Sequence, residues 1–225
     1  MIKVIELKRT ITDSNDRDAE CLRRDLKERG IFLLNLMSAP GSGKTTLLSR
    51  TITDLTGKAR IGVMEADIAS DVDALKIDAL GTESIQVHTD GMCHMDAGMT
   101  KSGLAELETD LQIVFLENIG NLICPAEFDT GAHRNVMILS LPEGDDKPLK
   151  YPLMFQKCNA LIVTKTDAAP YFDFDLDAVE KRVRALNPTI RIFPLSAKTG
   201  DGMEDWENWL LNEWEKQKKC MNSGS

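Results

Sequence analysis

Two short groups of residues carry most of the chemistry available to this chain. The first is Ser38-Ala39-Pro40-Gly41-Ser42-Gly43-Lys44-Thr45, continued by Thr46-Leu47-Leu48. It follows the phosphate-binding pattern G-x-x-x-x-G-K-[ST] except at its first position, where Ser38 replaces glycine. Glycines let successive backbone N–H groups turn inward around a polyphosphate with no Cβ in the way. Lys44 would reach the β- and γ-phosphates, and the Thr45 hydroxyl would bind Mg2+. The second group is Gly91-Met92-Cys93-His94-Met95-Asp96-Ala97-Gly98, joined by Cys124 further along. Thiolate and neutral imidazole are donors for Zn2+ and Ni2+. Neighbouring side chains of a strand point to opposite faces, so Cys93 and His94 can share an ion only in a loop, which Gly91 and Gly98 favour. Three ligands do not close a four-coordinate structural site. The remaining position belongs either to exchangeable water or to a site shared across a two-fold axis.

These residues need a scaffold. The apolar run Ile31–Met37 predicts a buried strand ending at the phosphate loop, and a helix should start near Gly43. Further strands are predicted at 60–66, 84–88, 111–117, 135–141, 159–164 and 189–195. Helices are predicted at 16–29, 44–55, 70–79, 100–108, 175–186 and 203–218. That alternation implies right-handed crossovers and an α/β fold with a mostly parallel, doubly wound sheet flanked by helices. Ligands on such sheets gather at the carboxyl ends of the strands. Two carboxylates, Asp67 and Glu117, close buried runs there and could serve Mg2+ or orient water. Asp71 and Asp73 crowd the same loop as Asp67, and Asp71 equally suits a helix cap. The segment Pro142–Pro152 reads as a surface hairpin or loop. Trp206 and Trp209 share a helix face that closes the core.

Leu161–Asp167 ends a buried run with T-K-x-D, which resembles the N-K-x-D guanine-recognition motif of GTPases, with Thr164 in the asparagine position. A carboxylate at Asp167 can accept from both N1–H and the exocyclic amino group of guanine, and adenine offers neither. The Lys165 stem would lie along the base. Ser196-Ala197-Lys198 resembles the S-A-K loop that meets the guanine oxygen through backbone N–H. Together with the upstream loop, this predicts a P-loop NTPase fold that takes GTP and GDP. Glu117-Asn118-Ile119-Gly120 stands where Ras-like GTPases have D-x-x-G, and with no arginine finger evident the intrinsic hydrolysis should be slow.

Composition narrows the partners. A net charge of −9 over 225 residues disfavours a nucleic-acid or anionic-membrane surface. No apolar stretch reaches the ~20 residues that span a bilayer, and the N-terminus has no leader-like apolar region, so a cytoplasmic protein is expected. Five scattered cysteines suit metal binding or packing better than a disulfide framework, with Cys158 expected to pack. The expected organisation is an N-terminal segment at 1–14, a nucleotide-binding domain at 15–219 and a tail at 220–225.

Four segments, S-A-P-G-S-G-K-T-T-L-L (38–48), G-M-C-H-M-D-A (91–97), E-N-I-G-N-L-I-C-P-A (117–126) and T-K-T-D (164–167), resemble the HypB family. The likeness covers roughly residues 15–215. It implies a GTP-favoured homodimer with Cys93, His94 and Cys124 as Ni2+ or Zn2+ ligands at the interface. It also implies Lys44, Thr45 and Asp167 as nucleotide residues. A metallochaperone role follows, with nickel delivered to the [NiFe]-hydrogenase large subunit precursor alongside a HypA-type metallochaperone. Met1–Thr12 has no Cys or His, so the family's N-terminal nickel-storage motif is not expected here. Two alternatives are a urease-type accessory GTPase, whose ligand run is usually Cys-Pro-His, and a non-enzymatic, nucleotide-gated zinc-binding regulator.

Overall fold

The computed structural model describes residues 7–67, 77, 79–89 and 91–222. The strands are β1 (Phe32–Ser38), β2 (Ile61–Asp67), β3 (Glu83–His88), β4 (Ile113–Glu117), β5 (Arg134–Ser140), β6 (Ala160–Thr164) and β7 (Arg191–Pro194). The principal helices are α1 (Leu7–Arg29), α2 (Lys44–Leu55), α3 (Ala97–Leu104), α7 (Leu176–Leu186) and α8 (Met203–Asn222). Three short helices lie between them: α4 (Cys124–Glu127), α5 (Lys147–Lys150) and α6 (Pro152–Lys157). Among the described residues the strands form one seven-stranded sheet in the order β3-β2-β4-β1-β5-β6-β7, every pair parallel. The chain order reverses direction across the sheet at β1, and the phosphate loop leaves from that strand's carboxyl end, where such folds bind ligands.

A central parallel strand is covered on both faces, and β1 is buried along its whole length. Phe32, Leu34 and Leu36 meet Leu47, Leu48 and Ile52 of α2 and Trp206 and Leu210 of α8. On the other face Leu33 packs with Leu22 and Leu26 of α1 and Leu104 of α3. Met37 joins a third cluster with Phe155 of α6 and Val179 and Val183 of α7. Each side chain of this kind contributes about 1.5–3 kcal/mol when fully buried, so the covering helices fix where β1 ends. Trp206 and Trp209 stack on each other at 5.5 Å, Phe193 packs edge-on to Trp206 at 6.1 Å, and the Trp206 indole N–H donates to Thr51 Oγ1 at 3.0 Å, so this helix face does close the core. Cys158 packs as expected, its burial raising the thiol far above its usual pKa.

Some boundaries differ from expectation. Helix α1 begins at Leu7 rather than Asp16, and α8 continues through Asn222. Helix α3 starts three residues early because Asp96 caps it, accepting from Met99 N–H at 2.8 Å. The Pro142–Pro152 segment is not a hairpin: it forms a 3-10 turn (Leu141–Glu143) and then α5, leading into α6. Its prolines sit in first helical turns, where the missing N–H is not needed, so they mark helix starts. The helix expected over 70–79 falls almost wholly outside the described residues; Ile77 is buried in the α2 cluster.

Candidate functional site

The phosphate loop forms a turn that requires two left-handed glycines, Gly41 at φ 75 and Gly43 at φ 93, the latter standing at the N-terminus of α2. A cavity of about 560 Å3 opens over it, lined by Pro40 through Thr46 and, from neighbouring strand ends, by Glu65, Glu117, Asn118 and Gly120. Ser38, wholly buried, accepts from Lys44 Nζ at 2.9 Å and donates to Ala39 O at 2.7 Å. Thus the residue in the usual glycine position holds the lysine. Thr45 Oγ1 donates to Glu117 Oε1 at 3.3 Å, so a hydroxyl and a carboxylate oxygen sit side by side, a donor set that suits Mg2+.

Sequence reading missed Glu65. It lines this cavity and lies in register with Glu117 across the β2–β4 pair. Asp67 ends β2, but its side chain lies outside the described residues, as do Asp71 and Asp73. The usable signal was strand periodicity: residues two apart share a face, so any strand that points Asp67 towards the loop also points Glu65 there.

A second cavity of about 260 Å3 adjoins the first through Gly43, Thr46 and Lys165, and is otherwise lined by Thr164, Asp167, Ala168, Ser196, Ala197 and Lys198. Every residue of both guanine-like motifs is therefore at one place. Ser196 Oγ donates to Asp167 Oδ1 at 2.7 Å and so orients the carboxylate. Thr164 Oγ1 donates to Ser42 O at 2.7 Å, fastening this floor to the phosphate loop. Lys165 is the one non-glycine residue with positive φ, 62, among those described, and its Nζ donates to Gly41 O at 2.7 Å. The stem therefore lies along the passage between the cavities. A purine can seat here with its polyphosphate over the loop.

Cys93, His94 and Cys124 also converge: their ligand atoms all lie within 4.8 Å of one another. The two sulfurs are 2.6 Å apart, and Cys93 Sγ is 3.9 Å from His94 Nδ1. Cys124 opens α4, with Pro125 in the first turn. The buried His94 ring stacks on Phe128 with centroids 3.8 Å apart, and its Nε2 has no hydrogen-bond partner among the described residues. Burial holds the imidazole below its usual pKa, opposed by Asp96 and Glu127, which keeps it in the neutral form that ligates. The Cys124 thiol is pushed up, first by its hydrogen bond to Cys93 and then by burial. A soft divalent cation, by displacing those protons, would relieve the crowding of the two sulfurs. Both cysteines are partly exposed, and Met92 and Ile123 beside them are exposed apolar side chains.

Asn118 joins the two regions. Its Oδ1 accepts from Met95 N–H at 3.2 Å, next to His94, and from Ile119 N–H at 2.9 Å. Its Nδ2 donates to Asn35 Oδ1 at 3.0 Å, and Asn35 in turn donates to Asn135 at 3.0 Å. The same residue lines the phosphate cavity beside Glu117. Gly120 completes the contact, since a Cβ there would stand 3.0 Å from Pro40 Cγ and 3.2 Å from Pro40 N.

The sequence and the fold are both similar to those of known proteins. Residues 32–194 match the family described as CobW/HypB/UreG, nucleotide-binding domain. The hydrogenase maturation factor HypB of Azotobacter chroococcum mcd 1 is 43% identical over 210 residues, spanning 92% of this chain and 68% of that protein. The crystal structure of HypB from Helicobacter pylori in complex with nickel superposes with a TM-score of 0.86 at 34% identity, covering 90% of this chain and 96% of that one. HypB from Archaeoglobus fulgidus gives 0.84 at 34% identity, covering 90% and 99%. With its phosphate loop, its paired cavities and its Cys-His-Cys cluster at one sheet edge, the chain belongs to the CobW/HypB/UreG family and, within it, to the HypB hydrogenase maturation factors.

Proposed function

We propose that this protein is a metallochaperone GTPase that hydrolyses GTP and helps to insert nickel into the large subunit of a [NiFe]-hydrogenase. In this reading Lys44 and the backbone N–H groups of the loop hold the phosphates, and Asp167 with Ser196-Ala197-Lys198 selects guanine. Thr45, Glu117 and Asp67 serve Mg2+, which when bound neutralises developing phosphate charge, and an acidic side chain at the cavity floor orients the attacking water. Cys93, His94 and Cys124 hold nickel, with zinc as an alternative occupant. Three donors leave a coordination position open, and the exposed Met92 and Ile123 flank them, which supports a GTP-favoured homodimer meeting at the metal. A HypA-type metallochaperone and the hydrogenase precursor are the expected partners, in the cytoplasm. Among the described residues no helix is long and apolar enough to cross a membrane.

The observation that carries this reading is Asn118, which borders the phosphate cavity and accepts the backbone N–H beside His94. Loss of the γ-phosphate moves loops of this kind, and a shift of the 117–124 segment would alter the metal pocket directly. The test is nickel affinity measured with GDP and with a non-hydrolysable GTP analogue. Different affinities are expected; equal affinities with unchanged dimerisation would remove the coupling.

A further inference from the structure

The segments that carry the metal ligands are joined by a third element, which contributes no ligand. Asn15, on α1 and largely buried, has both ends of its amide engaged across the chain. Its Nδ2 donates to Asp129 O at 2.8 Å, and its Oδ1 accepts from Ala97 N–H at 3.0 Å. Ala97 is the first residue of α3, just after Cys93 and His94. Its N–H is one of the helix-start donors with no partner within the helix, and Asn15 supplies that partner from outside. Asp129 follows Phe128, whose ring stacks on His94, and lies just past the α4 turn that begins with Cys124. One amide thus spans both ligand-bearing segments.

Arg23, two turns further along α1, grips the same place. Its Nη2 lies 2.8 Å from each Asp129 carboxylate oxygen, and its Nε donates to Ala132 O at 3.1 Å. Asp129 Oδ1 also accepts from Gly131 N–H at 2.9 Å, so the turn beneath Phe128 is held from two sides. One planar guanidinium thus holds two points of the turn at once, Asp129 through Nη2 and Ala132 O through Nε, which the single ammonium of a lysine cannot reproduce.

We infer that Asn15 and Arg23 are positioning residues of the metal pocket: α1 presets the Cys93–His94–Cys124 arrangement by clamping its two halves. This rests on the reading that those three side chains hold the metal. Partners that orient ligands without touching the ion typically change metal affinity by roughly 10–100-fold when removed. The inference also gives α1 a functional consequence: a partner that tilts it would open the pocket without approaching the sulfurs.

The experiment titrates Ni2+ alone into the intact chain against a competing chelator, following thiolate-to-nickel charge-transfer absorption. The variants are Asn15→Ala, Asn15→Asp and Arg23→Lys, each also checked by GTP-analogue titration and by melting without metal. Asn15→Ala should weaken nickel binding by roughly 10–100-fold with nucleotide affinity unchanged. Asn15→Asp keeps the acceptor for Ala97 and loses the donor to Asp129, so it should fall between. Arg23→Lys serves if Asn15→Ala fails to fold, and it should also weaken binding. A lowered melting temperature with wild-type nickel affinity in the folded variants would overturn the inference, making the clamp a packing contact only. Failure of the wild-type chain to bind nickel would instead overturn the ligand reading itself.

Discussion

The phosphate cradle and the sulfur cluster stand at the same sheet edge but are assembled differently. The cradle is nearly all one stretch, residues 40–46, shaped by two left-handed glycines and the start of α2. The cluster draws on two segments about thirty residues apart, brought together by Asn15 and Arg23 from α1 and by Asn118 from β4's end. A site encoded locally keeps its shape if its strand and helix pack. A site encoded at a distance depends on polar contacts that can be broken singly. The first should therefore tolerate distant substitutions that the second does not.

The largest expected effect tests whether the two regions separate chemically. Lys44→Ala should lower phosphate release by roughly 10²–10³-fold, the usual loss when a charge-stabilising donor is removed. Nickel titration of the same variant should still yield a thiolate band, and its disappearance would mean that the cradle shapes the cluster. Conversely, Cys124→Ala and Cys93→Ala should each weaken nickel binding by more than about 100-fold, beyond the range for orienting residues, while GTP binding persists. Intact metal binding in both variants would dismiss the assigned ligands.

A smaller effect addresses the point where the regions touch. Gly120→Ala puts a Cβ against the Pro40 backbone, which cannot yield as a side-chain tip can. We expect a destabilisation of about 1–3 kcal/mol in denaturant titrations, with weaker nucleotide binding. Normal values for both would show that the 117–124 loop is free to move independently of the cradle.

A final effect supplies a reference outside both pockets. His133 accepts Leu33 N–H at 3.1 Å and stacks on Phe32, at the far end of β1 from the phosphate loop. Burial, aided by Arg23 and Arg134, lowers its pKa from 6.5 to about 4. The unfolded chain therefore binds more protons in between, and stability should decline as pH falls from 6.5 towards about 4. Urea midpoints of His133→Gln against the wild type would isolate this slope. An identical slope would assign the decline to other groups.

The same contrast explains what the sequence could reveal. The parallel sheet and the residues that line the paired cavities were legible because each depends on a short-range pattern: an apolar run, a glycine spacing, T-K-x-D, S-A-K. The three members of the Cys-His-Cys cluster were legible by chemical type. Asn15 was not, since an asparagine in a charged helix carries no sign of the two backbone groups that it reaches more than eighty residues away. Glu65 was overlooked in favour of Asp67, although strand periodicity puts both on one face. The prolines at 142, 148 and 152 suggest a hairpin or loop in the sequence, yet they start helical turns, held by packing against α7 and by the Arg182–Asp145 ion pair.

The row of amides at Asn135, Asn35 and Asn118 has a consequence for folding fidelity. It runs from half-buried Asn135 at the start of β5 through buried Asn35 of β1 to buried Asn118 just past β4. Sliding any of these strands by one residue would turn an amide into hydrocarbon and forfeit its mates, a penalty of about 1–3 kcal/mol for each stranded group. The row thus acts as an alignment key for the segments that it joins.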